Sequence, residues 1–137
     1  MKPVAALLMI SAVLAAGSAE ACRRSPDPSA MMANHYASVA VVKIETVTPE
    51  NPSRPGDEWR ATATRVSLVE GAEPPMDLRL GHAEMPNCQE RRPVPREGEY
   101  WVAYLEGIGE PDTIVYNAWP LDWARSLDPR FSQIPER

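Results

Sequence analysis

The chain has 137 residues, of which 44% are hydrophobic and 24% charged, with 14 basic and 19 acidic side chains giving a formal charge of -5. Its 15 prolines and 7 glycines together make about 16% of the residues, below the roughly 25–30% of low-complexity disordered chains. The acidic balance excludes the electrostatic footprint of a nucleic-acid binder. Proline is about twice as frequent as usual, and it is barred from helix interiors and central strands. Short proline-free elements joined by proline-rich loops are therefore expected, in one domain at this length.

The N-terminus reads as an export signal. Lys2 is followed by an apolar run over 4–16 broken only by Ser11, and then by Ala19-Glu20-Ala21. The run matches the apolar core of a signal peptide and is shorter than the roughly 20 residues of a membrane-spanning helix. Residues 1–21 are read as a signal peptide cleaved between Ala21 and Cys22, leaving a mature chain of 116 residues that is secreted or periplasmic, with no transmembrane helix. A cysteine at the first mature position also fits a cell-envelope lipoprotein acylated on Cys22. Glu20, two residues before the cysteine, opposes that alternative, because lipoprotein processing prefers a small residue there. An exported chain with two cysteines is expected to pair them, and Cys22 with Cys88 is the intramolecular pairing available. A lipid on Cys22 and that disulfide exclude one another.

Downstream, the proline-free windows are read by hydrophobic period. Asp27-Pro28 is a helix-start signal leading into a short helix over 29–36, with Met31, Met32, His35 and Tyr36 at helical spacing. The window 38–48 is dominated by β-branched residues and predicts a strand. Residues 49–57, with three prolines, predict a loop, and 59–69 a second strand with Trp59, Ala61, Ala63, Arg65 and Ser67 on one face. Met76, Leu78 and Leu80 alternate with polar residues in a third strand. The loop 84–97 holds Cys88 and a local basic cluster, Arg91, Arg92 and Arg96, a possible contact for an anionic partner that more simply reads as solvated. Residues 99–105 are apolar on both faces and predict a central strand; 113–118 predict a fifth. Leu121, Ala124 and Leu127 recur at i, i+3 and i+6 in a short helix over 120–127, and the tail 128–137 is expected to be extended.

Five short strands with turns between them and little room for crossover helices predict a mainly β fold, a small five-stranded antiparallel OB-like barrel with a short helix at each end. One such domain covers 22–127.

Candidate chemistry is sparse. His35 and His82 are the only imidazoles, with no carboxylate or cysteine at ligand spacing, so neither a metal nor another cofactor is expected. Nucleophile elbows, zinc-protease motifs and glycine-rich phosphate loops are absent from the sequence, and no carboxylate pair reads as an acid–base couple. The expectation is a non-enzymatic chain. Of the four tryptophans, Trp119 and Trp123 are four apart and are expected to clamp the second helix onto the barrel.

The order of these features resembles the netrin-like module shared with tissue inhibitors of metalloproteinases. Cys22 opens the mature chain, and a short helix leads into Ala37-Ser38-Val39-Ala40-Val41-Val42-Lys43-Ile44. A long second strand ends in Val69-Glu70-Gly71, and Cys88 precedes Gly98-Glu99-Tyr100-Trp101-Val102-Ala103-Tyr104-Leu105. The resemblance runs from Cys22 to about Ala118 and rests on pattern and spacing. It implies an OB-fold barrel with Cys22 bridged to Cys88. It also implies a metalloprotease partner whose catalytic zinc would be chelated by the Cys22 amine and carbonyl. The chain departs from the inhibitors at Arg23, where they carry a small hydroxyl residue, and at Arg24, where they carry a second cysteine. The leading expectation is accordingly an exported binding or scaffold module with an unknown protein partner or ligand, its N-terminus tied to the barrel. Protease inhibition through Cys22 is the alternative.

Overall fold

A computed structural model describes residues 28–49, 58–82, 92–109 and 112–132. The elements are α1 (Pro28–Met32), β1 (Ser38–Pro49), β2 (Trp59–Gly71), β3 (Asp77–His82), β4 (Tyr100–Leu105), β5 (Ile114–Val115), β6 (Ala118–Pro120) and α2 (Leu121–Leu127), with a 3-10 turn at Pro129–Phe131. The six strands form one sheet in the order β5-β3-β2-β1-β4-β6. β1 pairs antiparallel with both β2 and β4, β2 pairs antiparallel with β3, and β3 pairs parallel with β5. The fold is thus mainly β, a curled half-barrel with short helices, roughly the small barrel the sequence predicts but with six strands in place of five and one parallel pair.

The curl comes from β1 and β2. Their register shifts between Val39 and Ala40, between Val41 and Val42, and between Ile44 and Thr46. Such irregularities bend a strand pair and increase its twist. A sheet curled this far buries both of its faces along the middle. On the concave side Val42, Ile44, Trp59, Ala61, Ala63, Leu78, Leu80, Trp101 and Ala103 form one core. On the outer side Val39, Val41, Val102, Tyr104 and Trp119 pack beneath Met32 of α1, Ala124 of α2 and Phe131 of the 3-10 turn. Residues 38–42 of β1 are consequently buried without a break, which is why that window reads as an unbroken run of small and β-branched residues before it alternates.

The structure departs from the sequence reading in four places. The first helix covers Pro28–Met32 and leaves His35 exposed, because Tyr36 turns back to donate its hydroxyl to the Met31 carbonyl. The expected fifth strand over 113–118 is two strands on opposite edges of the sheet, one of them parallel to its neighbour. The expected central strand over 99–105 is present as β4, flanked by β1 and β6 and buried on both faces. Met76, placed on the buried face with Leu78 and Leu80, lies outside β3 and is exposed. The tail, expected to be extended from Asp128, folds back: Asp128 caps the 3-10 turn by accepting from the Arg130 amide, and both Asp128 and Phe131 are buried. The expected clamp of Trp119 and Trp123 is present, their rings stacked 5.7 Å apart at 19° with Trp119 buried and Trp123 exposed. Among the described residues, no helix is long and apolar enough to cross a membrane.

Candidate binding cavity at the open seam of the barrel

A half-barrel has two free edges, and here one stretch of chain joins them. After Val115 pairs with Leu80 on the β3 side, the chain passes through Tyr116 and Asn117 and joins the edge of β4, where Ala118 pairs with Ala103. Asn117 spans the gap and accepts the Tyr104 amide on its carbonyl at 2.9 Å. Where this crossing ends, the seam between β5 and the last residues of β4 has no strand pairing to close it.

A cavity of about 360 Å³ lies there. Leu78, Leu105 and Val115 of the concave core and Met31 and Tyr104 of the outer core all line it. A sheet keeps its two faces apart, so a space touching both cores sits where the sheet ends. The loop from Glu106 to Gly109 and Thr113 form another wall. The volume and the apolar lining with a few polar groups are those of small-molecule sites.

The polar wall is built from the crossing segment and from the start of the 92–99 loop. Asn117 Nδ2 donates to the Tyr36 hydroxyl at 2.7 Å, and Asn117 Oδ1 accepts from Trp119 Nε1 at 2.7 Å. These bonds fix the Asn117 amide in one orientation and hold the Trp119 ring. Over that ring lies the Arg92 guanidinium, 4.9 Å from its centroid. Arg92 also donates to the Tyr116 carbonyl at 3.4 Å and approaches the Met31 sulfur at 3.9 Å. Arg92 is therefore a docked part of the cavity wall, which corrects its reading as a simply solvated charge. Arg96 is exposed, with its amide donating to Glu99 at 3.0 Å. Arg91, Ala21, Cys22 and Cys88 lie outside the described residues, and with them the expected signal cleavage, disulfide and zinc chelation.

Behind the cavity, Tyr104 anchors a second polar group. Its hydroxyl donates to Asp128 Oδ2 at 2.8 Å, and Arg130 Nε donates to Asp128 Oδ1 at 2.9 Å. Arg130 reaches on to Glu70 at 3.1 Å and to the Met32 carbonyl. Burial pushes the Tyr104 phenol far above the ordinary tyrosine range, and the hydrogen bond to Asp128 and that carboxylate's charge push it further. Burial alone would raise the Asp128 carboxyl, but hydrogen bonds from Arg130 and Tyr104 outweigh it and hold the group below its ordinary value. All four side chains satisfy one another, so the cluster reads as a structural tie of β4 and β2 to the C-terminal turn.

Among the described residues, no group of three His, Cys, Asp or Glu is placed to hold a metal ion. His82 ends β3 and is half-buried, and His35 is exposed. Sequence reasoning missed the cavity's lining. Leu78, Leu105 and Val115 carry no motif, and only the closure geometry of the sheet brings them together.

No protein-family model matches the chain, and no curated protein does.

Proposed function

We propose that this protein is an exported, non-enzymatic binding module that holds a small, largely apolar ligand in the seam cavity. The observation that carries the reading is the cavity itself: a lining drawn from both hydrophobic cores, with a pre-organised polar wall at Asn117 and Arg92 that Trp119 braces from behind. A fixed wall lowers the ordering cost of binding. Export rests on the N-terminal signal pattern and the even cysteine count.

The test uses a neutral fluorescent probe, N-phenyl-1-naphthylamine, and a variant that fills the space. Gly107 lines the cavity, and a Cβ added there meets no atom within 4 Å, so Gly107→Phe puts a ring at the cavity wall without a clash at the backbone. The expected result is saturable 1:1 binding by the native chain, weakened about tenfold or more in Gly107→Phe, with circular dichroism unchanged. Absence of saturable binding, or equal binding by a folded Gly107→Phe chain, overturns the reading.

A further inference from the structure

Resting on that reading, we infer that the cavity selects a planar aromatic ligand over a saturated one of the same skeleton, with Tyr116 as the ring on which the ligand stacks.

Tyr116 stands where the chain leaves β5 for the edge of β4. Val115 before it is buried and paired with Leu80, and Asn117 after it is held through Tyr36 and Trp119. Its own carbonyl accepts from Arg92 at 3.4 Å, so the backbone that carries the ring is fixed on both sides. The Arg60 guanidinium lies over one face of the ring, 5.5 Å from its centroid, and steadies the ring plane as well. Tyr116 nevertheless lines the cavity and is 48% exposed. With Arg60 against one face, the other face is the one open to a ligand. An aromatic ring left this open at an apolar cavity, and already ordered, is a stacking surface that adds little ordering cost on binding.

Two further groups of the lining point the same way. Tyr104 offers a buried ring, 5.2 Å from that of Tyr36, and Met31 a polarizable thioether. An aromatic ring gains from contact with another ring or with sulfur beyond what buried area alone gives. Leu78, Leu105 and Val115 present hydrocarbon, whose attraction is non-directional and takes saturated and aromatic ligands alike. The aliphatic part of the lining therefore supplies affinity, and the rings and the sulfur set the class of ligand.

Two competitors with one carbon skeleton decide the matter. 1-Naphthol and decahydro-1-naphthol carry the same single hydroxyl, and one is flat and aromatic where the other is puckered and saturated. Each is titrated against bound N-phenyl-1-naphthylamine. The native chain is expected to take 1-naphthol about fivefold more tightly, within what an aromatic pair adds to its buried area. Tyr116→Leu keeps an apolar side chain and removes the ring; there the preference is expected to fall to about twofold or less, and in Tyr116→Phe to persist. Saturating 1-naphthol is also expected to shift the Tyr116 ring protons of the native chain upfield by its ring current, whereas decahydro-1-naphthol has none. Equal native affinity for the two competitors, an unchanged preference in a folded Tyr116→Leu chain, or Tyr116 ring protons that 1-naphthol leaves in place overturns the inference while the binding-module reading stands. Failure of the neutral probe to bind the native cavity at all removes that reading itself, and the inference with it.

Discussion

Tyr104 shows how one side chain serves two compartments. Its ring lines the seam cavity and lies 5.2 Å from the Tyr36 ring, while its hydroxyl is consumed by Asp128. A buried phenol donating to a buried carboxylate should reveal itself in the pH dependence of stability. Asp128 is held below its ordinary value in the folded chain, so its contribution is complete above about pH 5 and is lost as pH falls through the folded value. Tyr104 is held above its ordinary value, so its contribution is complete below about pH 10 and is lost as pH rises through the folded value. Asp128→Asn leaves Arg130 without its carboxylate, though Glu70 still holds that guanidinium. We expect it to cost about 2–3 kcal/mol at pH 7 in urea unfolding, a difference that shrinks below about pH 4. Tyr104→Phe should cost about 1–2 kcal/mol. A loss for Asp128→Asn that is the same at pH 7 and pH 3 would show that the carboxylate charge is irrelevant to the tie. The sequence gives no warning of this group, because Tyr104, Asp128 and Arg130 meet only when the tail folds back. Asp128 alone carried a usable signal: Asp followed by Pro opens a helical turn, here as at Asp27-Pro28.

At the scale of elements, two glycines share a backbone angle but not an environment. Gly71 ends β2 at φ +85° and Gly98 precedes β4 at φ +84°. A Cβ on Gly71 would lie 2.1 Å from the Ala37 carbonyl oxygen, a group that already accepts the Ala72 amide at 2.9 Å. A Cβ on Gly98 meets nothing within 4 Å. Gly98→Ala should therefore cost only the left-handed conformation, about 1 kcal/mol. Gly71→Ala must also separate the β1–β2 ribbon at its open end, where Gly71 pairs with Ser38, and should cost on the order of 3–4 kcal/mol. Equal melting temperatures for the two variants would refute the contact argument. The same ribbon shows what could be read in advance. β1 and β2 were legible because β-branched residues fill them and prolines bracket them, and β3 because Leu78 and Leu80 alternate with charges. The division of 113–118 into β5 and β6 was not legible, since Tyr116 and Asn117 carry no breaker residue and the chain changes sheet edge there by tertiary pairing alone.

For the whole molecule, the open question is what holds a half-barrel shut without a strand across its seam. The crossing through Asn117 is one closure, and Arg92 against Met31 is another, 61 residues apart in sequence. Both partners of the second contact stand beside the cysteine-bearing stretches: Met31 is nine residues after Cys22, and Arg92 is four after Cys88. The even cysteine number of a chain read as exported argues for their pairing. On the proposed export, the mature chain is expected to weigh two hydrogens less than its reduced form, with Cys22 and Cys88 in one peptide pair after digestion. That pairing would close a loop of about 67 residues, for which chain entropy gives about 4 kcal/mol. Reduction should lower the unfolding midpoint accordingly and leave the pairing of β1 with β2 and β4 intact, because those contacts do not pass through either cysteine. Neutral-probe binding measured in the same samples then tells where the constraint acts. If affinity falls with reduction while the far-ultraviolet dichroism holds, the disulfide secures the Met31–Arg92 wall; if affinity is unchanged, Asn117 holds the cavity by itself. A mass carrying diacylglycerol and an acyl chain on Cys22 would rule out the disulfide.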